Sequence, residues 1–321
     1  MDIDIFNGDA DGIAALHQLR LADPRQAVLV SGVKRDIRLL DKVVAMADHP
    51  GARLTVLDIS MATNSEPLVT LLEEGCQIFY ADHHHPGDIP DHSGLESHID
   101  PDPEICTGLI INRFLGGRFP GWGVVAAFGD NLHDSAASLG RESRFSEKEM
   151  AVLRELGELL NYNGYGKEVA DLHFDPVKLF QAVQPYQDPL QFYAESDALA
   201  TLRQGFHDDM AKARAMDPEA EEESGRLYIF PCQPWARRTA GVFSNERARE
   251  QPDKGHALLV EDGQGGYVVS VRAPLDRKKG AVELCRAFAT GGGRAAAAGI
   301  NQLPAALVKE FMAAFFAAFK G

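Results

Sequence analysis

The chain has 321 residues, with 32 Lys and Arg against 47 Asp and Glu, for a formal net charge of −15. That length exceeds what one compact core usually holds, so two domains are expected, and 45% hydrophobic residues are enough for ordinary globular cores. The acidic balance argues against a protein that grips long DNA through a broad basic footprint, and leaves room for a local basic pocket facing a short anionic ligand.

The opening "MDIDIFNGDADG" goes straight into a strand pattern at 2–6, without the basic and apolar regions of a signal peptide. A helix pattern at 12–22 follows, then a strand at 27–33, a helix at 36–47, a strand at 53–60, a helix at 64–74, and strands at 76–82 and 96–100. This alternation predicts an α/β fold with a mostly parallel sheet flanked by helices. From about 105 to 215 the pattern is largely helical, until the acidic stretch "MDPEAEEESG" (216–225) breaks it. Strand patterns at 226–230, 256–261 and 267–273, with helix patterns at about 239–250, 280–290 and 304–319, then describe a second, smaller α/β domain. The expected organisation is a first domain over 1–195, a linker helix and acidic boundary over 196–225, and a second domain over 226–321.

Near the end, Phe311, Phe315 and Phe319 recur every four residues, the spacing of a core-facing helix stripe. That stripe would pack within its domain or across a homodimer. The run that carries it, "EFMAAFFAAF", is too short to span a bilayer, so no membrane partner is expected. The four cysteines are scattered without a CxxC pair, which suits the reduced thiols of a cytoplasmic protein.

The chemistry gathers at strand ends. "NGDADG" places Asn7, Asp9 and Asp11 directly after the first strand, "LDIS" places Asp58 at the end of the third, and "YADHHH" places Asp82, His83 and His84 at the end of the fourth. Asp130 in "GVVAAFGDN" follows a helical apolar run. Parallel strands joined by right-handed crossovers present their carboxyl ends on one edge, where ligands of open α/β sheets bind. Each motif alone has a plainer reading. Asp11-Gly12 would be a turn, Asp58 a helix N-cap, the histidines a surface cluster, and Asp130 a helix-end residue. Together they read as a metal site, because several carboxylates in one place repel one another unless cations neutralise them. A mixed Asp and His set without thiolate suits Mn²⁺, with Mg²⁺ or Co²⁺ as substitutes. Two such cations are a standard device for displacement at phosphorus.

In the second domain, Gly291, Gly292 and Gly293 with Arg294 beside them would cradle a terminal phosphate or a base edge; the plainer reading is a tight loop before an Ala-rich helix. Arg237 and Arg238 in "WARRTAG" are phosphate contacts or surface charge. In the first domain, "NYNGYG" (161–166) is read as a loop in which Asn163 and Tyr165 hydrogen-bond and stack on a nucleobase, or as a plain turn.

The order "GDADG", "LDIS", "ADHH", "FGDN" resembles the four metal motifs of the DHH phosphoesterase superfamily, and "GGGRAAAAGI" (291–300) resembles the glycine-rich motif of the associated DHHA1 domain. The resemblance covers nearly the whole chain. It implies a DHH catalytic domain and a DHHA1 substrate-binding domain, two divalent metals, Mn²⁺ above all, and substrate held between the domains. Asp9 and Asp11 would be motif-one ligands, Asp58 would bridge the metals, His83 would be a ligand, and Asp130 would complete the second metal. His84 would face the scissile phosphate, and Asp82 would support the histidines or reach a metal. Arg272 in "SVRAP" matches a family position that faces substrate. The chain departs from the pattern at Ile5, where many members carry histidine, and at Asn7, where the exonuclease branch carries aspartate, which leaves the first metal with fewer protein ligands. Arg294 stands where histidine is more common. With two domains and no added oligonucleotide-binding module, the chain looks like the branch that degrades very short nucleotides. The expected substrate is a linear dinucleotide such as pGpG or pApA, cut to mononucleotides. The alternatives are a 3′,5′-bisphosphate (pAp) phosphatase or pyrophosphatase, and a non-catalytic nucleotide sensor.

Overall fold

The computed structural model describes residues 1–320, and the chain divides into two compact units, 1–204 and 205–321. Unit one opens with β1 (Asp2–Phe6), α1 (Ala10–Ala22), β2 (Val28–Val30), α2 (Leu39–Val44), β3 (Arg53–Leu57), α3 (Ser65–Glu73), β4 (Gln77–Asp82) and β5 (Leu95–Ile99). The five strands form one all-parallel sheet in the order β2-β1-β3-β4-β5. Alternate residues of β1, β3 and β4, including Ile3, Ile5, Leu54, Val56, Ile78 and Tyr80, pack with Leu39, Leu40 and Val43 of α2 and Leu68, Leu71 and Leu72 of α3. The chain moves outward from β1 to β2 and then crosses to β3, so the switch point of the winding lies between β1 and β3. The open crevice of such a sheet sits there.

Helices complete unit one: α4 (Thr107–Phe114), α5 (Pro120–Gly129), α6 (His133–Glu142), α7 (Glu147–Gly164), α8 (Pro176–Val183), α9 (Pro189–Glu195) and α10 (Asp197–Arg214), the last running past the division. Helix α5 is apolar all round and buried from Gly121 to Gly129, packed against α1, α4 and α7. Its burial carries Asp130, the C-cap, inward with it. The "NYNGYG" stretch is not a loop. Residues 161–164 are the last turn of α7, and Tyr165 is its C-cap.

Two buried polar groups anchor α1. Arg20 forks onto Asp4 of β1 at 2.6 and 2.7 Å and donates to Thr55 of β3 at 2.8 Å. His17, wedged against Trp122, donates to the Tyr186 carbonyl at 2.7 Å. Burial pulls the His17 pKa down to about 4 from 6.5. The native state therefore keeps His17 neutral where the unfolded chain protonates it. Its contribution is full above pH 6.5 and is lost as pH falls toward about 4, by ~3 kcal/mol. Urea unfolding of the wild type and of His17→Phe at pH 7 and pH 5 checks this. The drop between the two pH values should shrink in the variant, and an equal drop in both proteins would refute it.

Unit two contains β6 (Ala220–Glu222), β7 (Gly225–Phe230), α11 (Pro234–Glu250), β8 (Gly255–Glu261), β9 (Gly266–Arg272), α12 (Ala281–Arg286), β10 (Gly291–Gly293), β11 (Ala297–Pro304) and α13 (Val308–Ala318). Its six-stranded sheet runs β10-β11-β9-β8-β7-β6, with β7 and β8 parallel and the other pairs antiparallel. The acidic stretch expected to be a boundary contains β6, which closes a hairpin onto β7. The phenylalanine stripe lies inside this unit, with Phe311, Phe315 and Phe319 buried against Val271, Leu284 and Ile300. Each such ring contributes roughly 1.5–3 kcal/mol of burial. Among the described residues no helix is long and apolar enough to cross a membrane.

Candidate metal centre

The carboxyl ends of β1, β3 and β4 bring Asp9, Asp11, Asp58, His83 and His84 to one edge, and the end of α5 adds Asp130. Asp9 is the N-cap of α1, its Oδ1 accepting from the amides of Asp11 (3.0 Å) and Gly12 (3.1 Å). The helix-cap role considered for Asp58 thus falls to Asp9. Asp11, in the first turn of α1, accepts from the first amides of α4: Thr107 N at 2.8 Å and Gly108 N at 2.7 Å. Position 108 has to be glycine, because a Cβ there would lie 2.3 Å from the Ala126 Cβ and 3.1 Å from Asp11 Oδ1.

Asp58 is held in the left-handed region, φ 59°, directly after β3, while its amide still donates to the Ala81 carbonyl at 3.1 Å. Such a backbone is uncommon outside glycine and is kept where the side chain it aims is needed. The Thr107 hydroxyl donates to Asp58 Oδ1 at 3.3 Å. His83 points Nδ1 at the Ile105 carbonyl (3.0 Å), which leaves Nε2 facing Asp58 Oδ1 at 3.5 Å and Asp130 Oδ2 at 3.8 Å. Those gaps are too long for good hydrogen bonds. They are near the roughly 3 Å that separates neighbouring ligand atoms on one octahedral ion. Ligand atoms of Asp58, His83 and His84 all lie within 4.8 Å of one another. Asp82 is fully buried. Its Oδ1 pairs with His84 Nδ1 at 2.7 Å, and its Oδ2 has no partner among the described residues. His85 points away, its Nδ1 accepting from the Gly87 amide at 3.2 Å.

The electrostatics fit a cation site. Burial, together with the charges of Asp11, Asp9, Asp130 and Asp82, pushes the Asp58 carboxyl well above the ordinary range. Burial also raises Asp11, with Asp130 and Asp9 adding to it and His83 opposing. Carboxylates that resist ionisation in the apo protein gain most from a divalent ion. For His84, the bond to Asp82 outweighs burial and raises its pKa. Asp82→Asn should therefore lower the affinity for Mn²⁺ about 10–100-fold, read by titrating the chelator-stripped protein, and an unchanged affinity would separate Asp82 from the centre.

One residue of the centre escapes the sequence reading. Lys34, in the loop after β2, reaches Asp9 Oδ2 at 2.5 Å, Asn161 Oδ1 at 3.0 Å and Asp130 Oδ1 at 3.5 Å. Burial alone would lower its pKa, but Asp9, Tyr165 and Asp130 outweigh that and hold it well above the ordinary value. For Asp9, burial is likewise overridden by the Lys34 charge, and the pKa is lowered.

The substrate candidates separate. Tyr165 lies beside the centre, its ring centroid 5.6 Å from Lys34 Nζ. Asn163 does not reach a surface. It is buried, with its amide bonded to the Phe174 N–H (3.0 Å) and carbonyl (2.9 Å), so it serves packing rather than a nucleobase. Arg238 is buried in an ion pair with Asp209 at 2.7 Å, which corrects its reading as a phosphate contact or surface charge. Arg237 approaches the Cys232 sulfur at 3.5 Å. Arg272 donates to Asn245 Oδ1 at 2.7 Å. Gly291–Gly293 are not a loop but the edge strand β10, paired with Ala298–Ile300, and Arg294 sits in the turn that follows.

Neither a family model nor a curated protein matches the sequence. Solved structures match the fold. An exonuclease RecJ bound to manganese aligns over 98% of this chain and 89% of its own, at 19% identity and a TM-score of 0.56. RecJ from Thermus thermophilus, in complex with Mn²⁺, aligns over 98% of this chain but 51% of its own, at 19% identity and a TM-score of 0.63. PggH, a pGpG-specific phosphodiesterase from Vibrio cholerae, aligns over 99% of this chain and 98% of its own, at 13% identity and a TM-score of 0.59. The architecture of these proteins is the one this chain adopts, in agreement with the DHH-type resemblance carried by its motifs.

Proposed function

We propose that this chain is a divalent-metal-dependent phosphodiesterase that hydrolyses short 5′-phosphorylated oligonucleotides, linear dinucleotides such as pGpG or pApA above all, to mononucleotides. The observation that carries the reading is the cluster at the β1/β3 switch point. Two carboxyls there, Asp58 and Asp11, are held above their ordinary pKa, and His83 offers Nε2 beside them. Asp58, His83 and Asp130 are the residues that would hold the cation, with Asp11, its two oxygens on the Thr107 and Gly108 amides, adding negative charge beside them, and the imidazole in the set favours Mn²⁺ over Mg²⁺. A divalent ion at such a site supplies a more acidic water and offsets charge on phosphoryl oxygens. We assign His84, whose Nδ1 is bonded to Asp82, as the group that, with solvent as the alternative, would protonate the departing 3′-oxygen. Arg272 and Arg294 remain our candidates for phosphate contacts in unit two. Support for a short substrate comes from the size match to PggH, set against the half of Thermus RecJ that this chain spans.

The test is hydrolysis by purified protein with Mn²⁺ of pGpG, pApA, a 5′-phosphorylated pentamer, a longer single strand, pAp and pyrophosphate. We expect a dinucleotide to be converted fastest, with two mononucleotides as products. Turnover confined to pAp or pyrophosphate would move the chain to the phosphomonoesterase class. Binding of nucleotides without turnover of any of them would make it a sensor.

A further inference from the structure

We infer that Lys34 is a built-in cation of the centre, whose ammonium holds Asp9 in place of one of two divalent ions, so that the centre takes a single divalent ion per chain. This rests on the reading of the acidic cluster as a metal site. The lysine is seated rather than swept in. Its N–H donates to the Gly164 carbonyl at 2.8 Å and its carbonyl accepts from Asn7 Nδ2 at 3.3 Å, so the main chain is fixed on both sides. The side chain then ends among Asp9, Asp130, Asn161 and the Tyr165 ring, groups supplied by three separate elements. An ammonium with three directed donors suits three oxygens at such distances.

The cluster is asymmetric in a way that matches this role. Asp9 has spent Oδ1 on the cap of α1 and Oδ2 on Lys34. Asn7 gives its Nδ2 to the Lys34 carbonyl, which leaves one neutral oxygen, its buried and unpartnered Oδ1, as a further ligand atom there. A divalent ion on that side would have to displace a charged, anchored side chain and would gain few protein ligands. The opposite side holds Asp58, His83, His84 and the Oδ2 of Asp130, with no cationic side chain against them among the described residues.

Counting metal tests this without relying on activity. The full chain, stripped with chelator and dialysed against Mn²⁺, should hold one Mn²⁺ per chain with the electron paramagnetic resonance spectrum of an isolated ion. Lys34→Ala should take up a second Mn²⁺ and show an exchange-coupled spectrum, whereas Lys34→Arg should remain at one. Two coupled ions in the wild type would overturn the inference, and so would a count of one in Lys34→Ala. If Lys34→Ala fails to fold, the wild-type count decides alone. No Mn²⁺ on the wild type would instead overturn the metal-site reading beneath it, a failure distinguishable from a count of two.

Discussion

Asp58→Asn is expected to lower hydrolysis by at least about 10²–10³-fold while making the metal-free protein more stable. Asparagine tolerates the left-handed backbone at this position, φ 59°, so the fold has no reason to change. What changes is charge. Asp58 is 2% exposed, and burial plus four neighbouring carboxylates raise its pKa well above the ordinary value. A carboxyl raised in this way keeps its proton in the native state where the unfolded chain gives it up. Its contribution to stability is present at low pH and is lost as pH rises through the raised native value. The metal-free wild type should therefore weaken from mildly acidic toward neutral pH, and the variant should weaken less, so the gap between them opens as pH rises. Mn²⁺ reverses the order, because it binds the native wild type and raises its melting temperature by mass action. Melting curves with chelator and with Mn²⁺, at two pH values, read all of this in one series. Unimpaired turnover by the variant, or equal stabilisation of both proteins by Mn²⁺, would remove Asp58 from the centre.

The acidic half of the centre is legible from sequence because parallel-sheet topology decides where strand ends go. Once 2–6, 53–60 and 76–82 read as parallel strands, Asp9, Asp11, Asp58 and His83 have to share an edge. Lys34 is not legible, for the converse reason. "SGVKRD" is an unremarkable basic loop, and the groups that give its lysine a role, Asp130, Asn161 and Gly164, come from elements about a hundred residues away. Local composition misleads in two other places. Asn163 and Gly164 are poor helix formers, yet α7 continues through them because the Asn163 amide closes two bonds to Phe174 and Gly164 lets Asp9 approach closely. The plainer reading of the glycine run 291–293 is a tight loop, and of the Ala-rich stretch after it a helix start. Both are strands, since a ladder is built from backbone groups and asks little of the side chains. In α11, the pair Arg237 and Arg238 looks uniformly basic in sequence, and only the packing of α10 distinguishes the second as half of a buried ion pair.

Asp4→Ala should cost about 3–5 kcal/mol, the largest single-site loss of stability expected outside the apolar core. Asp4 is 2% exposed and carries both bonds from the Arg20 fork, at 2.6 and 2.7 Å. Removing the carboxylate leaves a guanidinium buried between β1 and α1 with Thr55 and the Asp23 carbonyl as its remaining partners. The cost is that of the stranded charge rather than the worth of the pair. The double variant Asp4→Leu/Arg20→Met, which removes both charges and leaves the site filled with apolar atoms, should therefore recover most of the loss. Chemical denaturation of the three proteins separates the two accounts. If the double variant is as unstable as Asp4→Ala, the pair itself is the source of stability and the argument from desolvation is wrong. The comparison bears on the centre because α1 begins at Ala10, between Asp9 and Asp11. An apolar pair that still holds α1 to β1 should leave Mn²⁺ binding and hydrolysis intact. Asp4→Ala, with α1 loosened at its last turn, should bind Mn²⁺ more weakly although no ligand has been touched.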